Sequence, residues 1–311
     1  MDSFFIFSIV FVLLLLVFVL PLIVLRVVLS HSAAREAKEG SKREKKTDDD
    51  DASVESAIDK LKSKPFVLVH AHADDEAMFF LPTLLTLREQ MPAELYSQCS
   101  VVCFTSDPLI RAEEYFACAT TVLGLSPSQI HVLHSPGNTS DDESHLKEVQ
   151  SRLGSALYLP TEEDTSMAAI LDGFQYHNSK EVIAEALERI LTSDFDWNNY
   201  NFITFDGYGV SGHLNHIDVS RGVLHACKEH GAAVFTLDSV PLAVKYVPAL
   251  FSLRYMTSSN DGNTVCTYSK KASNTLLFTL TKVYRSQLTW YRCCFAMISM
   301  YAYCNTLHIT Q

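Results

Sequence analysis

The sequence has no C-x-x-C pair. Its eight cysteines (Cys99, Cys103, Cys118, Cys227, Cys266, Cys293, Cys294 and Cys304) are scattered and lie mostly inside apolar runs. That is the pattern of reduced, packed thiols, and it agrees with a cytosolic setting for the body of the chain. Positive charge is also in short supply: the formal net charge is -11. This argues against general nucleic-acid binding, which needs a basic face, and leaves room for a local basic patch against anionic lipid. No internal repeat is visible. From Ser30 to about Asp59 there is no aromatic residue and little to bury, and the stretch contains the acidic run Asp48 to Asp51. It reads as a solvated tether whose charges need no role beyond solubility, with a basic half able to touch anionic headgroups.

What is present is, first, a long apolar run. Phe4 to Val28 is interrupted only by Ser8, Pro21 and Arg26, and about 20 such residues suffice to cross a bilayer. A cleaved signal peptide is the competing reading, but its apolar core spans only about 7 to 15 residues and follows positive charge. Here only Asp2 precedes the run, whereas Arg26, Arg35, Lys38, Lys42, Arg43, Lys45 and Lys46 come at its end or after it. The positive-inside rule then puts the remainder of the chain in the cytosol and the amino terminus in the lumen. The 311 residues divide into an expected transmembrane anchor (1–29), a disordered charged linker (30–59) and a folded domain (60–311). A hydrophobic content of 48% supports a substantial core in that domain.

The folded part alternates between short apolar runs and helical periodicity, which suggests βαβ units around a parallel sheet. Phe66 to His70 reads as the first strand, Glu76 to Arg88 as a helix and Ser100 to Thr105 as the second strand. Arg111 to Leu123 is a helix closed by Gly124, and Ile130 to Leu133 a short third strand. Ser135 to about Thr165 breaks the rhythm and reads as an insertion. Glu181 to Leu191 restores a helix, followed by a strand at Asn201 to Phe205, a helix at Asn215 to Glu229 and a strand at Ala233 to Leu237. Past Ser239 the pattern weakens until Tyr284 to Tyr303, which reads as a long aromatic-rich helix carrying Arg285 and Arg292.

Two stretches carry chemistry. Val69-His70-Ala71-His72-Ala73-Asp74-Asp75-Glu76 leaves the end of the first strand, and Gly207-Tyr208-Gly209-Val210-Ser211-Gly212-His213-Leu214-Asn215-His216 leaves the fourth. Strand ends facing helix starts are where open α/β sheets place their sites. A catalytic zinc site uses three protein ligands and keeps a fourth position open, and His72, Asp75 and His216 supply that set. Asp74 stands ready to take a proton during hydrolysis of an amide, and His213 to stabilise an oxyanion and protonate the leaving amine. Each motif has a plainer reading. Asp74 and Asp75 alone suit the start of a helix, where carboxylates favour the dipole, and H-x-x-H alone is a weak metal signature. Together, at two strand ends of one sheet, they favour a site. Gly207 to Gly212 is also formally G-x-G-x-x-G, the dinucleotide fingerprint. It lies deep in the chain, however, and would leave His72, Asp74 and Asp75 without a task.

At these residues the sequence resembles the PIG-L/LmbE-like zinc deacetylase family. His72-Ala73-Asp74-Asp75-Glu76 is similar to that family's A-H-P-D-D-E signature, and Gly209 to His216 to the G-V-S-G-H-x-N-H stretch of its eukaryotic branch. Further similarity lies in Arg111-Ala112-Glu113-Glu114, in Asp172-Gly173-Phe174, and in Arg285-Ser286-Gln287-Leu288 with Trp290. The resemblance implies a Rossmann-like parallel sheet flanked by helices. It implies zinc, or another divalent metal, on His72, Asp75 and His216, with Asp74 as base and His213 as acid. It also implies Arg111 facing the substrate and Asp172 orienting His213. The substrate would be a phosphatidylinositol glycolipid that loses an N-acetyl group in the second step of GPI anchor synthesis, on the cytosolic face of the endoplasmic reticulum membrane. No nucleic acid enters, and protein partners stay open. A deacetylase of a soluble amino sugar and a non-catalytic membrane-tethered scaffold are the alternatives. Ala73 departs from the family's proline, and Tyr284 from a histidine common before Arg-Ser-Gln.

Overall fold

Every residue of the first strand, β1 (Phe66–His72), is buried, because both faces of the strand are covered. Phe66 and Leu68 point into one apolar core, and Val67, Val69 and Ala71 into the other. This is why the run shows no polar alternation. A computed structural model describes residues 56–134, 143–160, 170, 177–247 and 262–310. The expected anchor, the linker up to residue 55 and Asp172 lie outside the described residues. Among the described residues no helix is long and apolar enough to cross a membrane.

The chain enters through α1 (Ala57–Lys62), inside the stretch expected as linker. Ser56 caps this helix by accepting from the Asp59 amide, and Ala57 and Leu61 are buried. After β1 come α2 (Asp75–Met78) and α3 (Leu81–Gln90) in place of one continuous helix. Pro82 forces the break: it has no N–H for the Met78 carbonyl and is tolerated only in the first turn of a new helix. There follow α4 (Ala93–Tyr96), β2 (Ser100–Thr105), α5 (Ile110–Thr121), β3 (Ile130–Leu133), α6 (Glu143–Leu153) and β4 (Leu157–Tyr158). Much of the stretch expected to interrupt the alternation therefore forms another helix and strand, with β4 parallel to β3.

The second half contains α7 (Lys180–Leu191), β5 (Asn201–Phe205), α8 (Gly209–Gly212), α9 (Leu214–His230), β6 (Ala233–Leu237), α10 (Leu242–Tyr246), β7 (Thr264–Tyr268), α11 (Ala272–Lys282), α12 (Trp290–Ile298) and β8 (Cys304–Ile309). The eight strands run in the order β4-β3-β2-β1-β5-β6-β8-β7. The sheet is mixed rather than parallel throughout, because β8 is antiparallel to both β6 and β7. The long helix expected from Tyr284 to Tyr303 is also corrected. Only Trp290–Ile298 is α-helical, single turns at Arg285–Gln287 and Met300–Ala302 flank it, and the chain then enters β8. Ser299 is extended, which lets Met300, Tyr301 and Ala302 turn into the core.

From β1 the chain steps outward to β2, β3 and β4, and then returns to β5 on the other side of β1. The crevice at the carboxyl ends of β1 and β5 is therefore the topological switch point, where open α/β sheets bind ligands.

Candidate active site

The carboxyl end of β1 delivers His72 and the turn to Asp75, and α9 begins at the same crevice with His213 and His216. The two stretches converge. His72 Nδ1 lies 3.0 Å from His216 Nε2, and Asp75 places Oδ2 3.5 Å from the first and Oδ1 3.4 Å from the second. Donors that share one tetrahedral ion at about 2.0–2.1 Å stand about 3.3 Å apart. The mixed imidazole and carboxylate set therefore fits a divalent cation. His213 belongs to the same cluster: a donor atom from each of His72, His213 and His216 lies within 4.8 Å of the others.

Hydrogen bonds distinguish the two histidines at the start of α9. His216 Nδ1 faces the Gly209 carbonyl at 3.1 Å, so it carries the proton and Nε2 presents a lone pair toward His72 and Asp75, as a ligand requires. His213 is the helix cap: its Nδ1 accepts from the Asn215 amide at 3.3 Å. When this ring is neutral its proton is on Nε2, which suits a donor rather than a ligand.

The backbone that aims these groups is unusual. Asp74 adopts φ 138° and Val210 φ 66°, conformations that side chains with a Cβ rarely take. The loop carrying Val210 is held by Asp206, whose carboxylate accepts from the amides of Tyr208, Gly209 and Ser239 and from the Ser239 hydroxyl. The Ser239 hydroxyl in turn accepts from the Val210 amide at 2.7 Å. Gly209 is needed for close approach, because a Cβ there would stand 2.7 Å from the Cβ of His216. Of the glycines in the G-x-G-x-x-G pattern, Gly209 thus serves to seat a histidine.

Asp75 takes a hydrogen bond from the His72 amide at 2.8 Å. Burial alone would raise its carboxyl, but His216 and then His72 hold it well below the usual carboxylate range. Asp74 goes the other way: burial raises it, and Arg292 opposes the shift only in part. Behind these groups lies a second buried layer. Burial pushes Glu76 up to about 8, against the hydrogen bond donated by the Tyr284 hydroxyl. Burial also pushes His70 down to about 4 despite the Asp75 charge, so it stays neutral between the His72 carbonyl and the Tyr115 hydroxyl.

Arg111 is drawn inward. Its guanidinium donates to the Ala73 carbonyl at 3.2 Å and lies 3.9 Å from Asp74 Oδ1.

No protein-family model matches the chain. It is 28% identical over 251 residues to an N-acetylglucosaminyl-phosphatidylinositol de-N-acetylase of Bos taurus, covering 78% of this chain and 82% of that one. A probable enzyme of the same name from Schizosaccharomyces pombe is 25% identical over 261 residues, covering 81% and 89%. The chain is a homologue of these de-N-acetylases. Among solved structures, a deacetylase triple mutant of the teicoplanin biosynthetic pathway covers 79% of this chain and 98% of its own, at 15% identity and a TM-score of 0.40.

In this homologue the structure adds groups that the two motifs alone do not reveal. Arg292, on α12, places Nη1 2.7 Å from Asp74 Oδ2 and also donates to Gln287. Gln287 in turn donates to the Ala73 carbonyl at 2.8 Å. The carboxy-terminal segment therefore closes over the strained turn from the far side of the sequence. The Arg-Ser-Gln-Leu stretch with Trp290 was the available signal, although it pointed to a continuous helix that would not have delivered Gln287. Tyr284 fills its position by donating to Glu76.

Proposed function

We propose that the chain is a metal-dependent amide hydrolase that removes acetate from the N-acetylglucosamine of a phosphatidylinositol glycolipid, the second step of GPI anchor synthesis, at the cytosolic face of the endoplasmic reticulum membrane. The observation that carries this reading is the convergence of His72, Asp75 and His216 at 3.0–3.5 Å from one another, with Asp74 and His213 beside them. The names of the two relatives support the substrate class.

His72, Asp75 and His216 would hold zinc or another divalent cation. When bound, such a cation supplies Lewis acidity, polarising an acyl carbonyl and lowering the pKa of water. Asp74, raised by burial, is a stronger base than an exposed carboxylate and takes the proton of the attacking water. The water oxygen bonds to the acyl carbon, the C–N bond breaks, and the products are acetate and the free amine. His213, with Nδ1 accepting from the Asn215 amide, donates an Nε2–H hydrogen bond to the developing oxyanion, and the proton that Asp74 took from water passes to the leaving amine. Arg111 borders the same turn, and its planar cation suits the phosphate of the substrate.

The test is acetate release from a short-chain N-acetylglucosaminyl-phosphatidylinositol with and without chelator. Release that chelator stops and zinc restores is expected. Release from free N-acetylglucosamine but not from the glycolipid would reassign the substrate to a soluble amino sugar.

A further inference from the structure

The carboxy-terminal region differs in charge from the rest of the chain. From Gly262 to Gln311 there are five Lys and Arg residues and no Asp or Glu, within a chain whose net charge is -11. This region contains α12, a helix with no charged residue on its outer side. Trp290 is 78% exposed, Tyr291 55% and Met297 46%, with Cys293 and Cys294 half-buried between them. The single charged residue of the helix, Arg292, is turned inward to Asp74. Leu288 is exposed just ahead of the helix, and Lys282 and Arg285 are exposed on the approach to it.

A helix facing water ordinarily puts its charges outward. This one does the reverse, and what it exposes is tryptophan and tyrosine beside cations. Aromatic rings of that kind settle at the headgroup level of a bilayer, and juxtaposed Lys and Arg are drawn to anionic lipid. The opposite face of the same helix belongs to the site: Phe295 packs edge-on against Phe79 at 5.8 Å, and Phe79 against His216 at 5.8 Å. A second copy of the chain fits this face poorly. Nine residues of helix, about 13 Å long and about 11 Å across, present a face of about 150 Å², far short of the roughly 800 Å² per partner that a stable protein interface needs.

We propose that the outer face of α12, with Leu288 ahead of it and Lys282 and Arg285 beside it, docks in the headgroup region of an anionic bilayer. The site then opens at the membrane, where a lipid-borne sugar is met in place. That consequence rests on the glycolipid reading given above, whereas the docking itself does not.

The chain has two tryptophans, and the other, Trp197, is 5% exposed in the core, so bilayer contact is readable from Trp290. The full chain is reconstituted into vesicles of phosphatidylcholine with brominated acyl chains, with and without phosphatidylserine. Quenching of tryptophan emission is expected, stronger with phosphatidylserine, abolished by Trp290→Phe and weakened by Lys282→Glu with Arg285→Glu. Emission that brominated lipid leaves unquenched overturns the proposal. This includes the case in which Trp290 is nevertheless shielded from iodide, which would give the face to a second copy or another protein. In turnover, Trp290→Ser with Met297→Ser is expected to slow deacetylation of vesicle-borne glycolipid about tenfold and to leave a soluble short-chain analogue unaffected. Equal loss on both substrates would mark the face as structural and overturn the docking. If the wild-type chain turned over neither substrate, the deacetylase reading would fail while the quenching result still decided the docking.

Discussion

Asp74 is held in a conformation that its side chain does not favour, at φ 138° and ψ -17°. Such strain costs about 1–3 kcal/mol and persists only where surrounding contacts impose it. Here those contacts are the Arg292 guanidinium on its carboxylate and the Arg111 and Gln287 donors on the preceding carbonyl. Asp74→Asn keeps the shape and removes the base. Turnover is expected to fall roughly 10²- to 10⁴-fold, with metal content by elemental analysis unchanged; near wild-type turnover would exclude Asp74 from proton transfer. His216→Ala should act at the other step. It removes a lone pair that the Gly209 carbonyl orients, so the purified protein should lose its metal as well as its activity.

At the scale of elements, α7 and α9 touch where Gly222 faces Ile183. A Cβ at Gly222 would stand 2.3 Å from Ile183 Cγ2 and 3.2 Å from the Lys180 carbonyl. Alanine gains about 1 kcal/mol in helix propensity, but overpacking a filled interface costs about 1–3 kcal/mol. With a branched, fully buried side chain and a backbone atom both in the way, the clash wins. Gly222→Ala is expected to lower the unfolding midpoint, and to lower it less in an Ile183→Ala background than in the wild type, because the shortened side chain leaves room for the added methyl. How much the sequence reveals follows the same division between local and distant causes. The strands β1, β2, β3, β5 and β6 are legible because each is a short apolar run buried on both faces. The residues of the two loops are legible because metal and acid–base chemistry admits few side-chain types. Arg292 and Gln287 are not, since their contact with the Asp74 turn exists only once the carboxy-terminal segment has folded back across some 200 residues. Likewise β8 hides in an aromatic-rich run, and its identity as a strand comes from pairing with β6 and β7. The break at Pro82 was readable, and the continuous apolar periodicity around it masked it.

For the whole molecule, the sheet that fixes the switch point also sets its tolerance of acid. His131 lies on β3, against the Tyr158 hydroxyl of β4 at 3.2 Å, and burial lowers its pKa to about 4 from 6.5. Between those values the unfolded chain binds a proton that the folded chain refuses, so stability rises with pH across that interval. The contribution is complete above about pH 6.5 and drains away as pH falls toward 4, by at most about 3 kcal/mol and by less to the extent that the ring meets solvent. His70 titrates in the same direction over the same range, so the wild-type profile alone does not isolate one ring. The difference between variants does. His131→Phe should unfold at nearly the wild-type temperature at pH 7.5 and at a higher temperature than wild type at pH 5. A wild-type loss between pH 7.5 and 5 that persists undiminished in His131→Phe would show that the β3–β4 edge takes no part in the acid response, leaving it to the buried layer behind the site.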